Sequence, residues 1–379
     1  MLTVERVQAL QGREDLHSPW RELLARQAHR NLFLTPEWIT TWWEHFSAGR
    51  DLWLLVVREG GRVIGLAPMT VTREFDGRMP ARILGFMRNR HISRSDFIIP
   101  ERRREVIRAL VEFWRDQARH WDVLRLQDVP AESDSLALTA EELAGCGLDP
   151  LPVRPRRTLD YLPVSEGWED YLRSRSHRSR KNLRMGRRAL ERAGTVEYLH
   201  LTAPAEVRRT MEWLFDLEAS SWKAGASEVA FDERDKRFHV ALADRFAPLG
   251  GVENRFLRLD GKTVAALHSF VYDQVLYLLL TYYDPAYAEL SPGRDLIHQT
   301  LNDCWQAGKL REVDFNGTSP FIRHWTEATR PLDVLSAHNR RLYSQVISSL
   351  KKAKRFLGGP ERPRPAAAQA GPRMHGTAR

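Results

Sequence analysis

The sequence predicts an α+β (α/β) protein of two similar units, each a mixed central sheet flanked by helices. Three observations carry this. The chain has 379 residues, 42% hydrophobic and 28% charged, which exceeds what one core usually organises and suits two units of about 150 residues each. A proline-rich basic stretch, Asp149-Pro150-Leu151-Pro152-Val153-Arg154-Pro155-Arg156-Arg157, reads as an inter-domain connection. The two halves on either side of it then echo each other.

In the first half, Leu52 to Val57 is a buried-strand run, Arg58-Glu59-Gly60-Gly61-Arg62 a hairpin turn, and Val63 to Val71 a returning strand. In the second, Arg255 to Leu259, the turn Asp260-Gly261-Lys262, and Thr263 to Tyr272 repeat that plan. Gly-Gly and Asp-Gly between apolar runs are strong hairpin signals. Helical spacing follows over Glu101 to His120, with Val106, Leu110, Phe113 and Trp114, leading into a strand over Val123 to Gln127. Gly293 to Ala307, with Leu296, Ile297, Leu301 and Trp305, leads likewise into Glu312 to Phe315. The second half is richer. Trp168 to Leu172, His177 to Ala193, Val207 to Trp222 and Phe238 to Phe246 read as helices, with Gly194 as a left-handed cap of the second. The nearly all-apolar Val275 to Tyr283 reads as a strand at a sheet's centre. The expected division is a first unit over 1–155, a second over 156–357, and a disordered basic tail over 358–379, rich in Gly, Pro, Ala and Arg.

The net charge of +9 is unevenly spread. The residues from Lys351 onward hold eight cations against Glu361, and Arg173 to Arg192 hold nine (Arg173, Arg175, Arg178, Arg180, Lys181, Arg184, Arg187, Arg188 and Arg192) against Glu191. The rest is mildly acidic, which removes the case for general nucleic-acid binding and leaves one basic segment to explain. Cys146 and Cys304 stand far apart without Cys or His at ligand spacing, so neither a disulfide framework nor a zinc site is expected. No apolar run is long enough to span a membrane, and Met1 to Trp20 lacks the continuous core of a secretory signal. The expectation is a soluble, cytoplasmic protein.

Ser291-Pro292-Gly293-Arg294 ends a loop after the central strand and opens a helix. Unpartnered N–H groups there make an anion site, which Gly293 leaves accessible and Arg294 charges. The alternative is an ordinary helix start, with Ser291 as cap and Pro292 at the first position. Trp38, Trp42 and Trp43 fall at helical spacing and read as core, with a sugar-stacking platform as the alternative.

Further residues carry a family resemblance. They are Ser179-Arg180-Lys181-Asn182-Leu183-Arg184 running into Leu190-Glu191-Arg192-Ala193-Gly194, then Ser221-Trp222-Lys223, Ser291-Pro292-Gly293-Arg294, Asp314-Phe315-Asn316-Gly317, and Phe321-Ile322-Arg323-His324-Trp325. The first half adds Phe33-Leu34-Thr35-Pro36-Glu37-Trp38. Together they resemble the tandem-domain branch of the GNAT superfamily, which includes FemAB-like aminoacyltransferases and CelD-type proteins of polysaccharide biosynthesis. The resemblance covers most of residues 30–355 and implies two adjoining GNAT lobes, the second carrying the working site.

It further implies acyl transfer from a donor such as acyl-CoA, with no permanently bound cofactor or metal, to an amine or hydroxyl on a cell-envelope or exopolysaccharide precursor. Ser291, Gly293 and Arg294 would hold the donor's pyrophosphate. The family's loop usually has two or more glycines, and here Gly293 stands alone. The helix with Arg180, Lys181 and Arg184 would lie beside the acceptor cleft, with Trp222 and Lys223 also binding substrate. The basic segment has three readings: an anionic acceptor site, pairing to the acidic body, or a peripheral membrane contact.

Acyl transfer needs a positioned carbonyl, a route for the acceptor's proton and donors facing the oxyanion. His268 is a candidate base or a packed core histidine. Tyr283, with Tyr282 and Asp284 at the end of the central strand, is a candidate acid for the leaving thiolate or an aromatic packing group. Asp314 orients a substrate or caps a turn. Arg323 stands where relatives usually carry Lys, so it can bind or stabilise charge but cannot give up a proton. The alternatives are a FemAB-like ligase using aminoacyl-tRNA, which alone would bring a nucleic acid as partner, and a non-catalytic GNAT-fold component of a polysaccharide synthesis complex.

Overall fold

The computed structural model describes residues 1–165, 167–220 and 231–357, with side chains to residue 350. The chain divides into two compact units.

The first unit takes Met1–Thr158 and, among the described residues, 330–357. Its strands are β1 (Leu2–Val7), β2 (Arg50–Glu59), β3 (Arg62–Asp76), β4 (Met79–Phe86), β5 (Val123–Pro130) and the short β6 (Asp149–Pro150). The hairpin of β2 and β3 closes from Glu59 to Arg62, with Gly60 and Gly61 at φ of 55° and 85°, a backbone that two glycines adopt without strain. Helix α1 (His17–Arg26) is followed by α2 (Pro36–Phe46), where the Thr35 hydroxyl accepts from the Trp38 amide at 3.3 Å and Pro36 opens the helix. Trp38 and Trp42 are fully buried, which makes them core, and Trp43 is half-buried. Helix α3 (Arg103–Asp116) lays Val106, Ile107, Leu110, Val111 and Trp114 on the sheet, and α4 (Ser135–Gly145) adds Leu136 and Leu143 to the same core.

The second unit takes Leu159–Thr329. It begins inside β7 (Arg154–Pro163) and continues through α5 (Trp168–Ser174), α6 (His177–Ala193), β8 (Val196–Leu201), α7 (Pro204–Ser220) and α8 (Glu233–Phe246). Three antiparallel strands follow, β9 (Val252–Leu259), β10 (Lys262–Tyr272) and β11 (Val275–Tyr283), then α9 (Pro292–Ala307) and β12 (Glu312–Asp314). The strand order is β7-β12-β11-β10-β9-β8, so the apolar β11 does occupy the interior of its sheet. Helix α9 packs Leu296, Ile297 and Leu301 against Leu257, Val264, Leu267 and Leu276. Large side chains buried this way each contribute about 1.5–3 kcal/mol.

The echo between halves is a shared plan of three antiparallel strands, a helix, and a strand parallel to the third. In the first unit β4 runs parallel to β5 at Ile83–Val123 and Leu84–Leu124; in the second β11 runs parallel to β12.

Two expectations are corrected. The chain from 330 to 357 was assigned to the second unit but returns to the first. There β13 (Thr329–His338) pairs antiparallel with β5 from Leu332–Pro130 to His338–Val123, and α10 (Leu342–Leu357) buries Ile347 against Ala81, Ile83 and Val123. Gly194 is extended at φ 164°, not left-handed. Glycine is needed there because a Cβ would collide with the Asp260 carboxylate, which accepts from the Thr195 amide at 2.8 Å. The tail over 358–379 lies outside the described residues.

Candidate active site

Strand β11 is paired with β10 along its length, but β12 follows it for three residues only, ending at Tyr277–Asp314. Beyond that point β12 has ended while β11 continues for six residues to Tyr283, so this end of β11 has no parallel strand beside it among the described residues. Asp284 and the turn Pro285–Leu290 carry the chain from there to α9. The turn is held by Lys262, whose ammonium lies 2.9 Å from Asp284 and 4.9 Å from the Tyr287 ring centroid.

Ser291 sits at the N-cap of α9 in a left-handed conformation, φ 55°, and its side chain makes no capping bond. Ser291 thus takes the cap position of the plain reading, without the side-chain bond. Pro292 occupies the first turn as expected, and the next residue, Gly293, lies under Tyr283, whose ring would meet an added Cβ at 3.6 Å. Arg294 is half-buried and pairs with no carboxylate among the described residues; burial lowers its guanidinium pKa. The His324 imidazole is lowered too, by burial first and then by the charges of Arg294 and Arg178. Cationic charge thus gathers at a helix start without a side-chain cap, where the Arg294 and Asp295 amides already bond the Ser291 carbonyl at 3.1 and 3.2 Å and the charge and helix dipole favour an anion.

Helix α6 crosses this start. A Cβ on Gly186 would lie 3.7 Å from the Leu290 carbonyl and 4.0 Å from the Ser291 Cβ. The Ser176 hydroxyl caps α6 by accepting from the Ser179 amide at 3.1 Å. Arg187 fastens the helix to α9: it lies 3.5 Å from Asp295 and donates to the Tyr198 hydroxyl, which donates to Asp295. Burial and that bond to Asp295 push the Tyr198 hydroxyl pKa up. Arg187 also bonds Glu191 at 2.7 Å. By contrast Arg180, Lys181 and Arg184 form no ion pair among the described residues, and the buried Nε of Arg180 has no hydrogen-bond partner. The acidic body therefore neutralises Arg187 and leaves the other three uncompensated.

The remaining candidates fall in different places. Tyr283 ends β11 beside Gly293, and burial raises its hydroxyl pKa. His268 is fully buried on the other face of the sheet. Its Nδ1 lies 2.7 Å from the Asn254 carbonyl oxygen, while the Asn254 amide donates to Val207 and Thr210 of α7. Asn254 thereby selects the Nδ1–H tautomer, and Nε2 has no partner. Burial lowers this imidazole to about 3, far from the neutral value that suits a general base. The geometry is that of a packed core histidine.

Asp314 is fully buried at the end of β12 and accepts from the Asn316 amide at 2.7 Å, which holds Asn316 at φ 54°. Arg323, on the turn Ile322–His324, is largely exposed with Nη2 3.9 Å from Asp160. Trp222 and Lys223 lie outside the described residues. Asp160 itself escaped the sequence reading. It is 1% exposed on β7, and its carboxylate accepts no hydrogen bond among the described residues. The available signal was an acid inside the run Leu159-Asp160-Tyr161-Leu162, an alternation that points it inward.

Residues 177–321 match the family model described as an acetyltransferase (GNAT) domain. The second unit contains a GNAT domain. No curated protein matches the chain in sequence. Among solved structures, FemX aligns at a TM-score of 0.60 with 12% identity, covering 91% of this chain and all of FemX. A conserved protein from Bacteroides thetaiotaomicron aligns at 0.53 with 10% identity, covering 89% of this chain and 100% of its own. The C-terminal domain of a lysylphosphatidylglycerol synthetase from Agrobacterium fabrum aligns at 0.51 with 12% identity, covering 90% and 96%. The chain thus has the tandem GNAT/FemAB-like fold, and the GNAT domain makes it a transferase. Within that GNAT domain lie the start of α9, the basic helix α6 and Tyr283. No helix among the described residues is long and apolar enough to cross a membrane.

Proposed function

We propose that this transferase moves an acyl group from acyl-CoA to an amine or hydroxyl acceptor, a cell-envelope or exopolysaccharide precursor in the cytoplasm. The observation that supports the donor most directly is Arg294, a half-buried guanidinium without a paired carboxylate, at a helix start without a side-chain cap. A CoA diphosphate supplies the anion this site lacks, and its thioester supplies an activated carbonyl when bound. Ser291, Gly293 and Arg294 hold the diphosphate end. The end of β11 beyond Asp314, without a parallel strand beside it, gives the extended arm its course.

The acceptor's lone pair adds to the carbonyl carbon, the C–S bond breaks, the acceptor releases a proton and the leaving thiolate takes one up. Tyr283 is suited to give that proton, at the end of β11 beside Gly293 with its hydroxyl protonated at neutral pH, and to recover it from the one the acceptor releases. Arg323 contributes charge rather than a proton, and Asp314 holds the turn that ends β12. Arg180, Lys181 and Arg184 attract an anionic acceptor.

Thermal unfolding tests this reading. With acetyl-CoA or a longer acyl-CoA at a hundred times its dissociation constant, stability should rise by about 2.7 kcal/mol. Stabilisation by charged tRNA alone would instead select an aminoacyl-tRNA-dependent ligase, and none with any donor would select an assembly role. Reversing charge in the double variant Arg180→Glu, Arg184→Glu should raise the acceptor KM several-fold, with a wild-type KM that climbs steeply with salt. A KM insensitive to salt and to the substitutions would reduce α6 to a solvated face.

A further inference from the structure

The sheet of the first unit carries a cavity of about 220 Å³ on the face opposite α3. It is floored by the paired positions Thr70–Gly85 and Thr72–Ile83 of β3 and β4, and walled by Arg50, Arg88, Arg125 and Gln127. Thr72 and Arg88 are partly exposed, so the cavity reaches solvent. At roughly 30 Å³ per water of liquid volume it has room for a group of about seven heavy atoms.

The charges around it are unequal in their partners. Arg125 is matched by Asp76 at 2.5 Å and Glu74 at 3.5 Å. Asp128 is matched by Arg156 at 2.8 Å and Arg157 at 2.7 Å. Arg88 has no ion pair among the described residues; the Gln127 side-chain amide, assigned with its oxygen toward Arg88 because only that orientation satisfies both groups, accepts from Nη1 at 2.6 Å and Nη2 at 2.9 Å. Burial is the leading influence on Arg88 and disfavours its charged form. Glu74 and Asp128 act on it favourably from a distance, Arg156 and Arg125 unfavourably. A largely buried guanidinium held by a neutral amide and facing an open cavity is a charge only partly compensated by distant carboxylates, which an anion in the cavity would complete.

We propose that this cavity is an oxyanion-binding site of the first unit, taking a phosphate or carboxylate group of a small ligand with Arg88 as its pairing charge. Arg guanidinium forks match such groups two bonds at a time; Thr70 lies on the floor, and the Thr72 hydroxyl donates at 2.8 Å to Glu74, a lining carboxylate that Arg125 offsets at 3.5 Å. This site shares no residue with the start of α9, so it stands or falls independently of the acyl-CoA reading.

Calorimetric titration of the full chain with sodium phosphate and with sodium acetate, against sodium chloride at equal ionic strength, tests it. At least one oxyanion should bind where chloride does not, phosphate marking a phosphoryl ligand and acetate a carboxylate. Arg88→Gln should weaken that binding by at least about tenfold, the size of a charge-assisted hydrogen bond. In chloride alone the variant should melt no lower than the wild type. Binding of neither oxyanion overturns the proposal, and so does unchanged affinity in Arg88→Gln, which would put the anion elsewhere. On the unsubstituted protein, the bound oxyanion should slow phenylglyoxal modification of Arg88 mapped by mass spectrometry; an unaltered rate would overturn the assignment even if Arg88→Gln failed to fold.

Discussion

Gly293→Glu is expected to remove acyl-CoA binding while leaving the protein folded. The two halves of that statement have separate physical grounds. Gly293 is helical and not in a left-handed conformation, and a Cβ added there meets the Tyr283 ring at 3.6–3.9 Å, ordinary contact distances. A glutamate in the first turn of α9 also sits well with the helix dipole, worth about 0.3–1 kcal/mol. Stability should therefore hold or rise slightly. A carboxylate about 4 Å from a bound phosphate costs on the order of 4 kcal/mol at the dielectric of partly exposed pairs, more than two decades of affinity. Gly293→Ala is the control, with stability kept and donor affinity reduced far less. Donor affinity unchanged in Gly293→Glu would show that the diphosphate does not sit at the start of α9.

Acidification should destabilise the protein through His268, and His268→Gln should remove that part of the loss. The imidazole is lowered by burial from 6.5 to about 3. The unfolded chain therefore takes up a proton as pH falls below about 6.5 while the folded chain does not, and stability drops with pH across the window from about 6.5 to about 3. Between pH 6.5 and pH 4.5 this amounts to about 2 kcal/mol. Glutamine does not titrate and can still donate to the Asn254 carbonyl oxygen, so the variant should lose about that much less over the same interval, measured by denaturant unfolding at the two pH values. Equal acid losses in the two proteins would mean that His268 is not buried and neutral as described.

Much of the second unit was legible because its signals are local. Asp260 and Gly261 both take positive φ, 49° and 78°, in the tight hairpin that Asp-Gly foretells. The apolar run of β11 and the Ser291-Pro292-Gly293 helix start likewise declare themselves within a few residues. What sequence reasoning missed depends on distant partners. Strand β4 was passed over because Pro80, Arg82 and Gly85 break its alternation; Gly85 is explained only by the Arg125 carbonyl, into which a Cβ would run. The return of β13 and α10 to the first unit rests on pairing across some two hundred residues. His268 carried no mark separating a base from a core residue until Asn254 was seen beside it. Arg88 and Asp160 looked like an ordinary loop arginine and an ordinary strand acid; what sets them apart, a guanidinium held only by the Gln127 amide and a buried carboxylate with no hydrogen bond among the described residues, depends on distant groups.

Titration of acetyl-CoA into the unsubstituted chain, followed by calorimetry, tests the central claim most directly. The account predicts saturable binding of one molecule per chain, weakened by salt because Arg294 and the start of α9 meet a diphosphate. Absence of heat with acetyl-CoA, with longer acyl-CoAs and with free coenzyme A alike would contradict it.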